Sequence, residues 1–326
     1  MPLVTDPSAR TDVRPWLRPL PGTDLVVSAV CLGGGPLGSM PDLFGRDVPA
    51  DEGVATVAAA LDSQIRFLDT SNGYSDGESE RRIGAALALV GGVPPGVVVA
   101  TKVDPVGSDY SGERVRASVD ESRARLGIDV LPLVHLHDPE GHDFDDLTAP
   151  GGAVETLVGL RDSGAVGAIG LAGGRVQEIA RYLDLGVFDV LLVHNRWTLL
   201  DRSAGALIAE ARRQGMGVLN AAVFGGGILA APPGTSTTYG YREAPTEVLA
   251  AVEAMHAVCA DHGTDLRTAA LQFSLRDPDI ASTVVGMSRP ARVAQTVAAA
   301  TAALPDALWP ELEELLPPPH AWLDAQ

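Results

Sequence analysis

Four residues of complementary chemistry recur along this chain: Asp69, Tyr74, Lys102 and His137. A free phenol has a pKa near ~10, too high for proton exchange at neutral pH without help. A neighbouring ammonium stabilises the phenolate and lowers that pKa, and a carboxylate keeps the ammonium charged and oriented. Tyr74, Lys102 and Asp69 supply those three types. His137 offers a hydrogen bond to orient a substrate oxygen. Taken singly, each has a plain structural reading: a strand-end cap, a packed ring, a solvated amine, a satisfied imidazole. What joins them is their position.

Each stands where an apolar run stops. Residues 65–68 end in Asp69, with Tyr74 on the Gly/Asn/Ser turn beyond. Residues 97–100 end in Thr101-Lys102, and residues 131–136 end in His137-Asp138-Pro139. In a barrel of parallel strands the C-terminal strand ends converge on one mouth, where chemistry is done. His135 lies two residues before His137 and shares its face, so it is expected one layer deeper, as a hydrogen-bonded core histidine. The histidines lack the usual local spacing of zinc ligands, and no metal is expected.

Further short β-branched runs fall at 25–27, 30–32, 166–171, 187–193, 218–219 and 283–285, with helical faces between them. Val54, Val57, Ala58 and Leu61 follow the i, i+3, i+4, i+7 rule; so do Val176, Ile179, Ala180 and Leu183, and again Val248, Ala251, Val252 and Met255. Alternating strand and helix predict an α/β fold, a (β/α)8 TIM barrel. Residues 17–20 and 25–27 around Pro21-Gly22-Thr23-Asp24 read as an N-terminal β-hairpin, and residues 308–316 as a C-terminal extra helix. No break resembles a linker, so residues 1–326 read as one domain with a core over about 25–303. The Pro/Gly/Thr stretch 232–245 is long for a loop and is expected to cover the mouth.

Several segments could hold a cofactor. His194, at a strand end before Asn195-Arg196-Trp197, is expected to line its site, with Trp197 stacking on a flat ring. Phe224-Gly225-Gly226-Gly227 follows the seventh barrel strand, where barrels often bind phosphate through backbone N–H groups. Gly286-Met287-Ser288-Arg289-Pro290-Ala291-Arg292 follows the last strand and opens a helix, a seat for an adenosine phosphate, and Gln295 is counted with it. Gly33-Gly34-Gly35-Pro36-Leu37-Gly38 matches G-x-G-x-x-G, but no helix opens from that turn, so it reads as a loop allowing close approach rather than a Rossmann turn.

The chain has 326 residues, 46% of them hydrophobic and 20% charged, with a net charge of −18. Such a chain has ample core, and its acidity argues against nucleic-acid binding. No apolar run approaches the roughly 20 residues of a membrane span, and residues 1–19 show no secretory pattern. A cytoplasmic protein, monomeric or homo-oligomeric, is expected. Cys31 and Cys259 read as small core residues.

With these residues in place, the chain resembles the aldo-keto reductases over nearly its whole length. Phe67-Leu68-Asp69-Thr70-Ser71-Asn72-Gly73-Tyr74 followed by Gly77-Glu78-Ser79-Glu80 is similar to that family's "FDTAxxYG…SE" segment. Val99-Ala100-Thr101-Lys102 resembles its lysine strand, Leu136-His137-Asp138-Pro139 its histidine strand, and Ala165-Val166-Gly167-Ala168-Ile169-Gly170 its "GKVRAIG" strand. The resemblance implies NADP(H) or NAD(H), a small carbonyl or sugar substrate, and Asp69, Tyr74, Lys102 and His137 as the catalytic tetrad. Tyr239-Gly240-Tyr241, residues 223–229 and residues 198–201 are similar to the branch holding the D-threo-aldose, L-fucose, L-galactose and pyridoxal dehydrogenases. That likeness assigns Tyr239 and Tyr241 to the substrate. Departures fall on the cofactor side. Ala172 and Gly173 stand where many members carry Ser-Asn, His194 replaces a glutamine, Ala221 a stacking tyrosine, and Gly286 a lysine that faces the 2′-phosphate. The rival expectations are a Schiff-base lyase using Lys102 and a cofactor-binding regulatory subunit without turnover.

Overall fold

The computed structural model describes residues 14–325; residues 1–13, most of the segment read above for a secretory pattern, lie outside the described residues. Strands β1 (Leu17–Pro19) and β2 (Val26–Ser28) form the expected antiparallel hairpin. Then come β3 (Val30–Gly33), β4 (Phe67–Asp69), β5 (Val98–Val103), β6 (Leu131–His137), β7 (Val166–Gly173), β8 (Val190–His194) and β9 (Gly217–Ala221). A two-residue ribbon, β10 (Thr238–Tyr239) with β11 (Arg242–Glu243), folds within the long loop, and β12 (Ser282–Gly286) closes the set. Strands β3 to β9 and β12 form a closed parallel barrel with β12 between β9 and β3. This is the (β/α)8 architecture read from the sequence.

Helices lie outside because the connecting segments are amphipathic. The helix Ala50–Asp62 buries Val57 and Ala60, and Val176–Leu183 buries Ile179 and Leu183. The barrel interior is a separate apolar core of Cys31, Phe67, Val98, Ala100, Leu133, Val190 and Leu219. Leu20 and Val27 of the hairpin join it, so the hairpin stoppers the end opposite the mouth. The tail helix Leu308–Glu314 packs with the helices Thr246–Asp261 and Leu266–Arg276 in a third cluster.

Register sets what reaches the mouth. Asp69 of β4 pairs with Ala100 of β5, Lys102 with His135 of β6, and His137 with Ala172 of β7. Residues two apart share a strand face, so Ala100 and Lys102, and His135 and His137, rise in successive inward layers. His135 is fully buried, as its depth predicts, but neither ring nitrogen has a hydrogen-bond partner among the described residues, contrary to the expectation of a bonded histidine. Burial, reinforced by the charges of Lys102 and His137, lowers its pKa and keeps it neutral. Space for the ring comes from Gly170, its β7 neighbour, where an added methyl would lie 2.0 Å from His135 Nδ1. Overpacking of this kind costs about 1–3 kcal/mol. Gly170→Ala is therefore expected to destabilise the protein by that amount, seen as a lower midpoint in urea denaturation at unchanged slope, without changing the fold; an unchanged midpoint would show that the ring has room to move.

Candidate active site

Lys102 is 2% exposed, and its ammonium is fully engaged. Nζ donates to Asp69 Oδ2 at 2.8 Å, to the Thr70 carbonyl at 2.7 Å and to the Tyr74 hydroxyl at 3.3 Å. Those are the three donors an ammonium has. Burial opposes its charge, but Asp69 and Tyr74 outweigh burial and the pKa is raised. For Tyr74 the balance goes the other way. Burial exceeds the pull of Lys102, and the phenol is pushed up to about 12. The expected lowering is overturned: in this geometry Tyr74 holds its proton.

Tyr74 reaches back over the strand end because Ser75, Asp76 and Gly77 all adopt positive φ, turning the chain into the helix Glu78–Leu89. Buried Glu80 anchors that turn from behind. It accepts from Thr101 Oγ1 at 2.6 Å and pairs with Arg125 at 3.1 Å, while Arg125 also holds the Asn72 carbonyl at 3.0 Å. His137 is gripped from two sides. Its Nδ1 lies 2.6 Å from Asp104 Oδ1, and its backbone N–H donates to the Tyr110 hydroxyl at 2.9 Å. The Tyr74 and His137 rings meet edge to face at 5.6 Å.

All four side chains line one cavity of about 590 Å³, a size suited to small-molecule sites. Its walls bring Pro36, Met40, Leu43, Ala172, Leu192, His194, Ala221, Phe224 and Tyr241, and one end carries Gly226, Gly227, Gly286, Ser288, Arg267 and Arg292. Residues 29–317 match the model of the aldo/keto reductase family. The chain belongs to that family. It is 34% identical to a D-threo-aldose 1-dehydrogenase of Pseudomonas sp. over 84% of this chain and 91% of that protein. An L-galactose dehydrogenase of Arabidopsis thaliana is 35% identical over 87% of this chain and 88% of that one. A solved aldo-keto reductase from Bacillus halodurans aligns with a TM-score of 0.77 at 22% identity, covering 95% of this chain and 99% of that chain, a likeness of fold. As an aldo-keto reductase the chain is a nicotinamide-dependent oxidoreductase.

The cavity's far end fits a dinucleotide. Gly226 and Gly227 have φ of 75° and 107°, open to glycine, and a methyl on Gly226 would press on the backbone of Gly240 and Tyr241. The helix Pro290–Thr301 starts there with no side-chain cap; Pro290 has no N–H and Arg292 N–H donates to the Arg289 carbonyl at 3.0 Å, so of its first turn the Ala291 N–H is the one open to an anion. Burial, then the nearby charge of Arg292, lowers the Arg267 pKa, with Asp265 acting in the opposite sense. Such like charges brought together suit a phosphate.

Other expected cofactor and substrate residues lie elsewhere. Trp197 points away from the cavity; its Nε1 donates to Asp277 at 2.7 Å and its ring packs on Phe273. Tyr239 is buried, its hydroxyl donating to Asp201 at 3.1 Å, so it secures the loop rather than meeting substrate. Asp201 also accepts the backbone N–H of Leu323 at 2.9 Å, which ties the C-terminal tail to the same loop. Met287 is wholly in the core, because alternate residues after β12 face the helix layer. Gly225 turns toward the Tyr239 ring, and Gln295 and Arg289 are exposed away from the cavity lining. Asp138, Glu140 and His194 offer ligand-type atoms within 4.8 Å of one another, though Glu140 Oε1 is already taken by the N–H groups of Gly174 and Arg175.

Sequence reading missed Asp104 and Arg267. Asp104 had a signal, since it lies two residues past Lys102 and so on the same face. Arg267 had none: it comes from the helix Leu266–Arg276, and only tertiary packing brings it to the cavity. Removing one member of a buried pair leaves the other uncompensated, at a cost of about 3–5 kcal/mol. Lys102→Met should destabilise the protein by that amount in urea denaturation at pH 7, with Asp69→Asn/Lys102→Met recovering part of the loss. A double variant no more stable than Lys102→Met would refute the pairing as the source.

Proposed function

We propose that the chain is an aldose-type dehydrogenase, oxidising the anomeric carbon of a small sugar-like hemiacetal to a lactone and, in reverse, reducing a small carbonyl. The observation that carries this reading is the Tyr74 hydroxyl held 3.3 Å from the fully engaged Lys102 ammonium, in the cavity that His137 also lines. When bound, NAD(P) supplies the hydride acceptor or donor. Tyr74, held as a neutral phenol, protonates the carbonyl oxygen during reduction; Lys102 fixes and polarises it; Asp69 keeps Lys102 charged; His137 orients the oxygen. Asp138, His194 and Tyr241 at the mouth suit hydroxyl-bearing substrates, and the names of the two relatives point the same way. A Schiff-base lyase finds no support, since its amine must be free and neutral while Lys102 is charged with every donor in use.

For the cofactor, Gly226, Gly227, Ser288, Arg267 and Arg292 would hold the phosphates, and two guanidiniums without a lysine at Gly286 suit both NADP(H) and NAD(H). Cys31 and Cys259 are both buried and unpaired, which fits a reducing, cytoplasmic setting.

Tyr74→Phe should lower kcat with an aldose or pyridoxal by about 10²–10⁴-fold, the usual worth of a positioned acid, while leaving cofactor affinity unchanged. Turnover is followed at the nicotinamide absorbance, and retained turnover would sink the assignment. Arg292→Ala should weaken NADP(H) by about tenfold or more, from loss of a charged hydrogen bond, and NAD(H) by less. Equal losses in fluorescence titration would place the 2′-phosphate elsewhere.

A further inference from the structure

The mouth holds one carboxylate that the tetrad leaves unspent. Among the described residues Asp69 and Asp138 are the acids lining the cavity, and Asp69 is committed to Lys102. Asp138 follows His137 directly, and its backbone fixes where its side chain stands. It has φ 41° and ψ 50°, the left-handed region that Asp enters more readily than most residues, and its N–H donates to the Ala172 carbonyl at 2.8 Å. The turn Pro139–Gly141 beyond it is pinned as well, because Glu140 Oε1 accepts the N–H groups of Gly174 at 2.6 Å and Arg175 at 3.0 Å. The Asp138 carboxylate is held at the rim, half-exposed, with Oδ1 3.4 Å from His194 Nε2 and Oδ2 3.9 Å from His137 Nε2.

A separation of 3.9 Å is too long for a hydrogen bond, so Oδ2 and the His137 Nε2 leave each other free, side by side on the cavity wall. Burial opposes the charge of Asp138, but His137, His194 and Lys102 together outweigh it and hold the carboxyl well below its usual range. An ionised carboxylate only accepts hydrogen bonds, so the group it meets on a substrate must be a donor. Across the mouth, the segment after β3 offers only the apolar side chains of Pro36, Met40 and Leu43. The two sides of a bound substrate therefore meet different chemistry.

We propose that Asp138 is a specificity-determining residue that selects substrates bearing a hydroxyl on the carbon next to the reacting one. In reduction these are 2-hydroxy aldehydes; in oxidation they are the hemiacetals of 2-hydroxy aldoses. The reacting oxygen sits at Tyr74 and His137, and the neighbouring hydroxyl donates to Asp138 Oδ2. Two oxygens on adjacent carbons bridge the gap between Nε2 and Oδ2, while the apolar remainder of the substrate turns toward Met40 and Leu43. An aldehyde without that hydroxyl leaves the carboxylate facing carbon, and the lost hydrogen bond falls on its binding. This deepens the dehydrogenase reading and rests on it.

Lactaldehyde and propanal differ by that hydroxyl alone. With the full-length chain and reduced cofactor, kcat/KM for lactaldehyde should exceed that for propanal by about tenfold, the low end for a hydrogen bond to a charged group because Asp138 is half-exposed. Asp138→Gly, which suits the left-handed backbone, should bring the ratio close to one. A ratio near one in the unaltered chain, which needs no variant to fold, would overturn the proposal, as would a preference that survives in Asp138→Gly. In both cases the aldehydes are still reduced and the dehydrogenase reading stands. Lactamide and propanamide present the same groups on a carbonyl that accepts no hydride. In a ligand-observed NMR titration of the unaltered chain, lactamide should bind about tenfold more tightly, and Asp138→Gly should erase the difference. A protein that reduces neither aldehyde but shows this difference would sink the dehydrogenase reading and leave the role of Asp138 standing; equal binding of the two amides would overturn that role.

Discussion

A single ammonium sealed inside the barrel mouth is the constraint on which the rest of the site depends. A charge taken out of water must be matched by fixed partners or the structure neutralises it. Lys102 finds Asp69 on the adjacent strand, the Thr70 carbonyl just beyond it, and Tyr74 on the turn after that. These demands fix the β4–β5 register, the left-handed turn at residues 75–77 and the angle at which Tyr74 returns. Even the outer face obeys, since buried Glu80 and Arg125 brace the same turn from the helix side. Catalytic geometry and fold stability are here one problem.

The opposite side of the cavity is assembled differently. Small residues, Ala172, Ala221 and Ala222, line it. The anion-binding end draws on segments far apart in sequence, from the glycine turn after β9 to the helices bearing Arg267 and Arg292. The cover is tied down by Asp201, which holds Tyr239, and by Arg196, which pairs with Asp324 of the tail at 2.9 Å. The loops beside the mouth are therefore held by nearly the last of the described residues.

Much of this was legible in the sequence because strand periodicity and strand-end chemistry are local. Asp69, Lys102 and His137 each close an apolar run, and those runs became β4, β5 and β6. What failed were statements about direction. Trp197 looked like a ligand contact by type and Tyr239 by family likeness, but packing turned both inward onto Asp277 and Asp201. Arg289 and Arg292 are three apart at the start of one helix, and only Arg292 meets the cavity. The sign of the Tyr74 shift was equally out of reach, because it turns on how completely the ring is desolvated.

The unbonded His135 gives the barrel an insulator. Neutral and wedged against Gly170, it sits between the charged layer above and an apolar plug that runs down to Leu20 and Val27. Among the described residues neither ring nitrogen of His135 makes a hydrogen bond, so the barrel floor offers the site no relay for a proton. Proton traffic is thereby turned away from the floor and toward the same rim of the barrel that admits the substrate.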